Sequence, residues 1–159
     1  MPKTDIIAEK GKQEIIITRI FNAPRELVFR TYTDPVTVPE WWGPRQMTIV
    51  VDKMEVKKGG IWRYVHRTPD GQEYAHNGVY HEIGSPERII NTYEFEGFPG
   101  VVGLVTTTFE EQPGGKTKFT ETTLYPSAEV AEAVLQSGMS DGAIELLDRL
   151  EELLAKLQA

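Results

Sequence analysis

Glu121 and His76 are the two side chains in this sequence best suited to hold or move a proton inside an apolar interior. Glu121 falls between Phe119 and Thr123 in a run that alternates along a strand, so it shares a face with Phe119. A carboxyl among apolar neighbours keeps its proton unless it is paired, which suits general acid chemistry or anchoring of a ligand. The plainer role is a carboxyl satisfied by nearby hydroxyls. His76 lies between Tyr64 and Phe95 in the strand pairing set out below, where an imidazole could orient a polar ligand group, act as an acid or base, or simply pack among aromatics. A direct His76 to Glu121 dyad is not expected, because their strands are three apart, ~14 Å across a flat sheet at ~4.8 Å per strand.

Other chemical signals are weaker. His66 lies toward a hairpin end and His81 on the face opposite His76, so both read as structural or solvated. His76 and His81 cannot chelate together, and no metal site is expected. Gly138-Met139-Ser140-Asp141-Gly142 spells the nucleophile-elbow pattern, but a helical pattern precedes it and no histidine follows His81. Gly97, Gly100 and Gly103 lack the dinucleotide spacing, and neither Gly59-Gly60 nor Gly114-Gly115 completes a phosphate-binding loop, so no cofactor is expected. Gly97-Phe98-Pro99-Gly100 reads as a flexible loop at a rim, with Phe98 as its gate or cap.

These residues need a strand-rich scaffold to position them. Gln13 to Phe21 is β-branched and reads as a strand. A helix follows, capped by Asn22 or Ala23, with Pro24 in its first turn, Leu27, Val28 and Tyr32 on its apolar face, and Asp34-Pro35 at its end. Trp41-Trp42-Gly43-Pro44 then forms a short irregular connection after a proline-broken run. One ring is expected in the core beside the helix and the other at a cavity entrance. Met47 to Val56 and Ile61 to Arg67 read as strands joined at Lys58-Gly59-Gly60.

Thr68-Pro69-Asp70-Gly71 suits a type I turn with a glycine bulge, which sets Arg67 opposite Glu73, His66 opposite Tyr74, Tyr64 opposite His76 and Trp62 opposite Gly78. Charges then pair on one face and aromatics gather on the other, the inner one. In the next hairpin Tyr80 and Glu82 face Asn91 and Ile89, with Tyr93 beside Gly78, so that the glycine lets the Trp62 and Tyr93 rings close over it. A third hairpin, turning at Gln112 to Gly115, pairs Glu110 with Lys118, Thr106 with Thr122 and Thr108 with Thr120. Its inner face carries Val105, Thr107, Phe109, Phe119 and Glu121. After an interruption at Ser137-Gly138, Met139, Ala143, Leu146, Leu147, Leu150, Leu153, Leu154 and Leu157 form one stripe of a long helix, opposite Glu145, Asp148, Glu151 and Glu152.

This order is that of an α+β helix-grip fold, a curved antiparallel sheet of about seven strands wrapped around the C-terminal helix, with short helices after strand 1. Asn22-Ala23-Pro24-Arg25-Glu26-Leu27-Val28-Phe29, Trp41-Trp42-Gly43-Pro44, Gly59-Gly60-Ile61-Trp62-Arg63-Tyr64, Pro69-Asp70-Gly71, Gly78-Val79-Tyr80 and Pro86-Glu87-Arg88-Ile89 carry a resemblance over about residues 13 to 155, as does the stretch from Ser137 to Leu150. Together they resemble the SRPBCC (START-like, Bet v 1-like) superfamily, and within it the domain related to the C-terminal part of the heat-shock protein 90 ATPase activator. The resemblance implies a deep cavity between sheet and helix. Related folds serve as carriers, polyketide cyclases and aromatases, and co-chaperones, so function has to come from the site. Two departures matter: nothing resembles the separate N-terminal domain of the co-chaperones, and Ala143 follows Gly142 where many relatives carry tryptophan, which would enlarge the cavity.

A net charge of −7 opposes binding to nucleic acid, and the absence of cysteine excludes disulfides and thiolate chemistry. No apolar run of membrane-spanning length occurs. The sequence is expected to give a cytoplasmic protein, monomer or homodimer, with residues 1–12 as a tail and 13–159 as one domain. Its expected role is non-enzymatic binding of a small apolar or aromatic molecule. The lining is drawn from Trp41, Trp42, Trp62, Tyr64, His76, Tyr80, Asn91 and Tyr93, with Phe98, Thr107, Phe119 and Glu121, against Met139, Ala143 and Leu146 of the last helix. The alternatives are a chaperone partner acting through its outer surface, and a cyclase-like enzyme using Glu121 or His76.

Overall fold

The computed structural model describes residues 4–159. Its sheet contains β1 (Thr4–Ile7), β2 (Glu14–Phe21), β3 (Thr48–Met54), β4 (Ile61–Arg67), β5 (Glu73–Gly84), β6 (Arg88–Phe95), β7 (Val102–Gln112) and β8 (Lys116–Leu124). All neighbours are antiparallel, in the order β1-β2-β8-β7-β6-β5-β4-β3, and the sheet stays open between β1 and β3. It has eight strands rather than about seven, because Thr4 to Ile7, read from sequence as part of a tail, pairs with Arg19 to Ile16. Four mostly polar or half-exposed residues are too short a run to announce a strand by alternation.

The β4–β5 register is the expected one, with Tyr64 facing His76 and Trp62 facing Gly78. So is β7–β8, where Thr107 faces Glu121 and Glu110 faces Lys118. The β5–β6 hairpin differs near its turn. Tyr80 faces Asn91, but a bulge between Tyr80 and Glu82 leaves Ile83, not Glu82, opposite Ile89. The extra residue turns Glu82 to the Arg88 guanidinium, 2.9 Å from Oε2 to Nη2, and lets Ile83 pack against the core.

Helix α1 (Arg25–Thr33) is capped by Pro24 rather than by Asn22 or Ala23, and ends at Asp34 before Pro35. The double-tryptophan segment is not wholly irregular: Val38–Trp41 makes a one-turn helix, α2, closed by Trp42 N–H on the Val38 carbonyl at 2.9 Å. Helices α3 (Ala128–Gln136) and α4 (Met139–Leu157) are separated at Ser137-Gly138, where Gly138 adopts φ +90°.

The grip on α4 is uneven. Leu147, Leu150, Leu153 and Leu154 are buried, whereas Met139, Ala143 and Leu146 are only half-buried and Leu157 is 48% exposed. Each fully buried leucine contributes roughly 1.5–3 kcal/mol, so the C-terminal half carries most of the packing. Polar ties act on the same half. Arg19, buried among the inward residues Ile15, Ile17 and Phe21 of β2, donates to Asp148 and Glu151 at 2.7 Å each and to Thr4 Oγ1 at 2.8 Å. Arg149 donates to the carbonyls of Gly43 at 2.7 Å and Glu40 at 2.9 Å, tying the helix to α2 and its exit. The N-terminal half of α4 has no comparable clamp among these contacts.

Candidate functional site

Strand β8 presents Glu121 on the concave face because alternation from Phe119 requires it. Helix α1 crosses that face and brings Tyr32 over the carboxyl, whose Oε2 accepts from the Tyr32 hydroxyl at 3.1 Å. Burial pushes the Glu121 carboxyl above its ordinary value, and the Tyr32 hydrogen bond opposes the shift in part. The Tyr32 phenol is raised well above its own, by burial first and by Glu121 next. Thr107, opposite Glu121 in the register, is buried, and its hydroxyl is near enough to the Tyr32 phenol to offset part of that group's upward shift. The result is a small polar group of hydroxyl and carboxyl functions set among Phe109, Phe119 and Trp41, with the carboxyl biased toward its protonated form.

A second polar group lies across the sheet on β4, β5 and β6. His76 Nδ1 is 2.6 Å from the Tyr93 hydroxyl, and His76 Nε2 is 3.3 Å from His66 Nδ1. Both imidazoles are buried. Burial, and secondarily the positive charge of Arg149, lower His66 to about 4. Burial and then His66 lower His76 to about 3. Trp42 fills the space above them, its ring 4.9 Å from Tyr64 and from His66 and 5.1 Å from His76. Trp62 and Tyr93 approach to 6.1 Å over Gly78, where a Cβ would come 2.4 Å from Trp62 Nε1.

These contacts sort the expected residues. Trp42, Trp62, Tyr64, His76 and Tyr93 form one connected aromatic wall, while Thr107 and Glu121 meet at the other polar group. Trp42, Asn91, Tyr93 and Glu121, with Met139, Ala143 and Leu146 of α4, are half-buried rather than sealed. Tyr80 is buried. Trp41 and Phe119 belong to the packed core instead of a lining: Trp41 donates through Nε1 to the Thr31 carbonyl at 3.2 Å, and Phe119 sits edge-on to Phe21. Phe98 is 70% exposed on the β6–β7 connection and has no ring partner among the described residues. Glu121 and His76 bond to different partners, and no hydrogen bond joins them.

Four residues escaped the sequence reading. His66, expected to be structural or solvated, is the former, buried beside His76; the inner-face register that placed Trp62 and Tyr64 already pointed it inward. Arg19 was equally legible from the Ile15, Ile17, Phe21 alternation. Tyr32 and Arg149 left no such signal, because their partners lie on other elements.

Two clefts lie elsewhere. One, of about 450 Å³, is bordered by Arg25, Gly84, Glu87, Arg88 and Phe109. The other, of about 190 Å³, separates the β1–β2 turn from α3 near Gly11, Ala131 and Leu135. Neither is lined by a residue expected at the site. Among the described residues no three His, Asp or Glu side chains are grouped to hold a metal ion, and no helix is long and apolar enough to cross a membrane.

The family model described as Activator of Hsp90 ATPase homolog 1-like protein matches residues 22–155, from the start of α1 almost to the end of α4. The chain belongs to that family. Solved structures of the same fold extend the likeness over nearly the whole molecule. A Mycobacterium smegmatis protein is 28% identical, with 96% of this chain and 97% of that one covered at a TM-score of 0.85. A Rhodobacter sphaeroides protein is 25% identical over 98% and 99% of the two chains, at 0.89. One from Staphylococcus epidermidis is 29% identical over 94% and 93%, at 0.80. No curated protein matches.

Proposed function

We propose that this member of the family binds a small, neutral, largely apolar or aromatic molecule between the concave sheet face and the N-terminal half of α4, without transforming it. The observation that carries the reading is the Tyr32, Glu121 and Thr107 group, which gathers one carboxyl and two hydroxyls inside an aromatic interior. A few convergent polar atoms in an apolar surround are what small-ligand sites present. The uneven grip on α4 is consistent with that place, because Met139, Ala143 and Leu146 of its N-terminal half pack against the core yet stay half-buried. Neutrality of the ligand follows from the site: the imidazoles are held uncharged near neutral pH and the carboxyl is biased toward its protonated form.

Native mass spectrometry of freshly purified protein tests this directly. The expected result is an added mass that is lost on denaturation. A bare protein mass, together with no chemical-shift change at Thr107, Tyr93 or Ala143 on titration with aromatic probes, would overturn it.

A further inference from the structure

We infer that Tyr93 is the hydrogen-bond donor of this site, that His66 and His76 are positioning residues which fix its direction, and that the ligand therefore carries a carbonyl or enol oxygen. This rests on the binding reading above and names the chemistry of its ligand.

The chain Tyr93, His76, His66 has one end at the half-buried Tyr93 hydroxyl and the other at His66 Nε2, which is buried and has no partner. Its hydrogen bonds can run in either of two directions. If Tyr93 donates to His76 Nδ1, then His76 Nε2–H donates to His66 Nδ1, and His66 ends in an unpaired buried N–H. If the order is reversed, His66 Nδ1–H donates to His76 Nε2, His76 Nδ1–H donates to the phenol oxygen, and the Tyr93 proton is free.

The surroundings of His66 Nε2 choose between them. That nitrogen lies against Gly43, where a Cβ would come within 2.4 Å of it, and the Gly43 carbonyl accepts from Arg149. The guanidinium places positive potential on His66, which favours a lone pair over an N–H at the unpartnered nitrogen. An unpaired buried N–H is also the rarer of the two orphans. We therefore assign the Nδ1–H tautomer to both histidines.

Two consequences follow for the ligand. Each bond in an aligned chain polarises the next, so the free Tyr93 O–H is a stronger donor than an isolated phenol. Burial, with Tyr125 and Glu121 adding to it, raises the Tyr93 pKa, so the hydroxyl keeps its proton to donate. The adjacent Trp62 and Tyr93 rings, tilted 32° to one another, offer aromatic faces for a planar group beside that oxygen.

The experiment compares acetonaphthone with its hydrocarbon isostere isopropenylnaphthalene, by calorimetry on the full chain, and reads the imidazole tautomers from ¹⁵N shifts of the unliganded protein. The ketone should bind about 3- to 10-fold more tightly than the hydrocarbon, the worth of one hydrogen bond. Tyr93→Phe should bring that ratio close to unity. Both histidines should report Nδ1–H, a readout that stands even if Tyr93→Phe does not fold. Equal binding of the two probes, or Nε2–H tautomers, overturns the donor assignment and leaves the binding reading in place. Failure of both probes to bind removes both.

Discussion

The Tyr32 hydroxyl donates to the Glu121 carboxyl across 3.1 Å, and so joins the first helix to the eighth strand inside the protein. Each side chain alone would be a poor interior residue; together they satisfy one another through one hydrogen bond. The bond supports the charged form of Glu121 while burial opposes it. Removing the phenol therefore leaves burial uncontested. Tyr32→Phe should move the Glu121 midpoint further above the ordinary 4.5, as followed by ¹³C NMR of its carboxyl carbon. A raised carboxyl pKa favours folding most at low pH, and that contribution fades as pH rises through the folded value. Glu121→Gln should consequently be at least as stable as the parent at neutral pH.

The histidine pair works in the opposite sense. Folded His66 and His76 titrate at about 4 and about 3, below the ordinary 6.5, so the unfolded chain binds protons first on acidification. Stability contributed by the neutral pair is complete above pH 6.5 and falls as pH drops through the folded values, by up to about 1.4 kcal/mol per pH unit for each histidine. Arg149 from α4 depresses His66, while Glu96 beyond β6 raises His76 slightly. Urea midpoints measured from pH 7 to 4 should slope less steeply in a His66→Gln, His76→Gln double variant. An unchanged slope would refute the assignment.

Arg19 is the polar lock between sheet and helix. Truncation removes a buried guanidinium whose carboxylate partners are 46% and 25% exposed and can turn to water, so Arg19→Ala should cost about 1.5–3 kcal/mol in equilibrium unfolding. Arg19→Met, which keeps the apolar stem, should cost less.

Two glycines should respond with opposite signs to the same change. A Cβ at Gly78 would lie 1.9 Å from the Thr92 carbonyl oxygen and 2.4 Å from Trp62 Nε1, so Gly78→Ala must displace backbone and should cost at least ~2 kcal/mol. At Gly142, inside α4, a Cβ meets nothing within 4 Å. Gly142→Ala should therefore stabilise by about 0.4–1 kcal/mol, through a less mobile unfolded chain and better helix propensity.

Ala143 is the helix position where bulk would fill the proposed site. Ala143→Trp should fold cooperatively and weaken acetonaphthone binding at least ~10-fold, since an indole on this half-buried face of α4 would take up space in the proposed site. Undiminished binding would move the site elsewhere.

Much of this molecule is written in its local patterns. The turn at Thr68 to Gly71 fixes which residues of β4 and β5 face one another, and alternation then puts Trp62, Tyr64 and His76 on one face, because a strand's period is two. Threonine and charge pairs do the same for β7 and β8. The helix-grip order and the stripe on α4 follow from equally short-range signals. What local pattern cannot carry is which element crosses which. Tyr32 looked like one more apolar helix residue until α1 lay over β8. The register already turned His66 inward, but only Trp42 and Gly43 folding down upon it sealed it beside His76. Alternation put Arg19 on the inner face, but neither it nor Arg149 had its partners until α4 came within reach. A hydrogen bond needs two atoms at ~3 Å, and for pairs separated by more than a hundred residues only the tertiary fold sets that distance. Sequence determined the faces; the three-dimensional packing chose the partners, and with them the protonation of the interior.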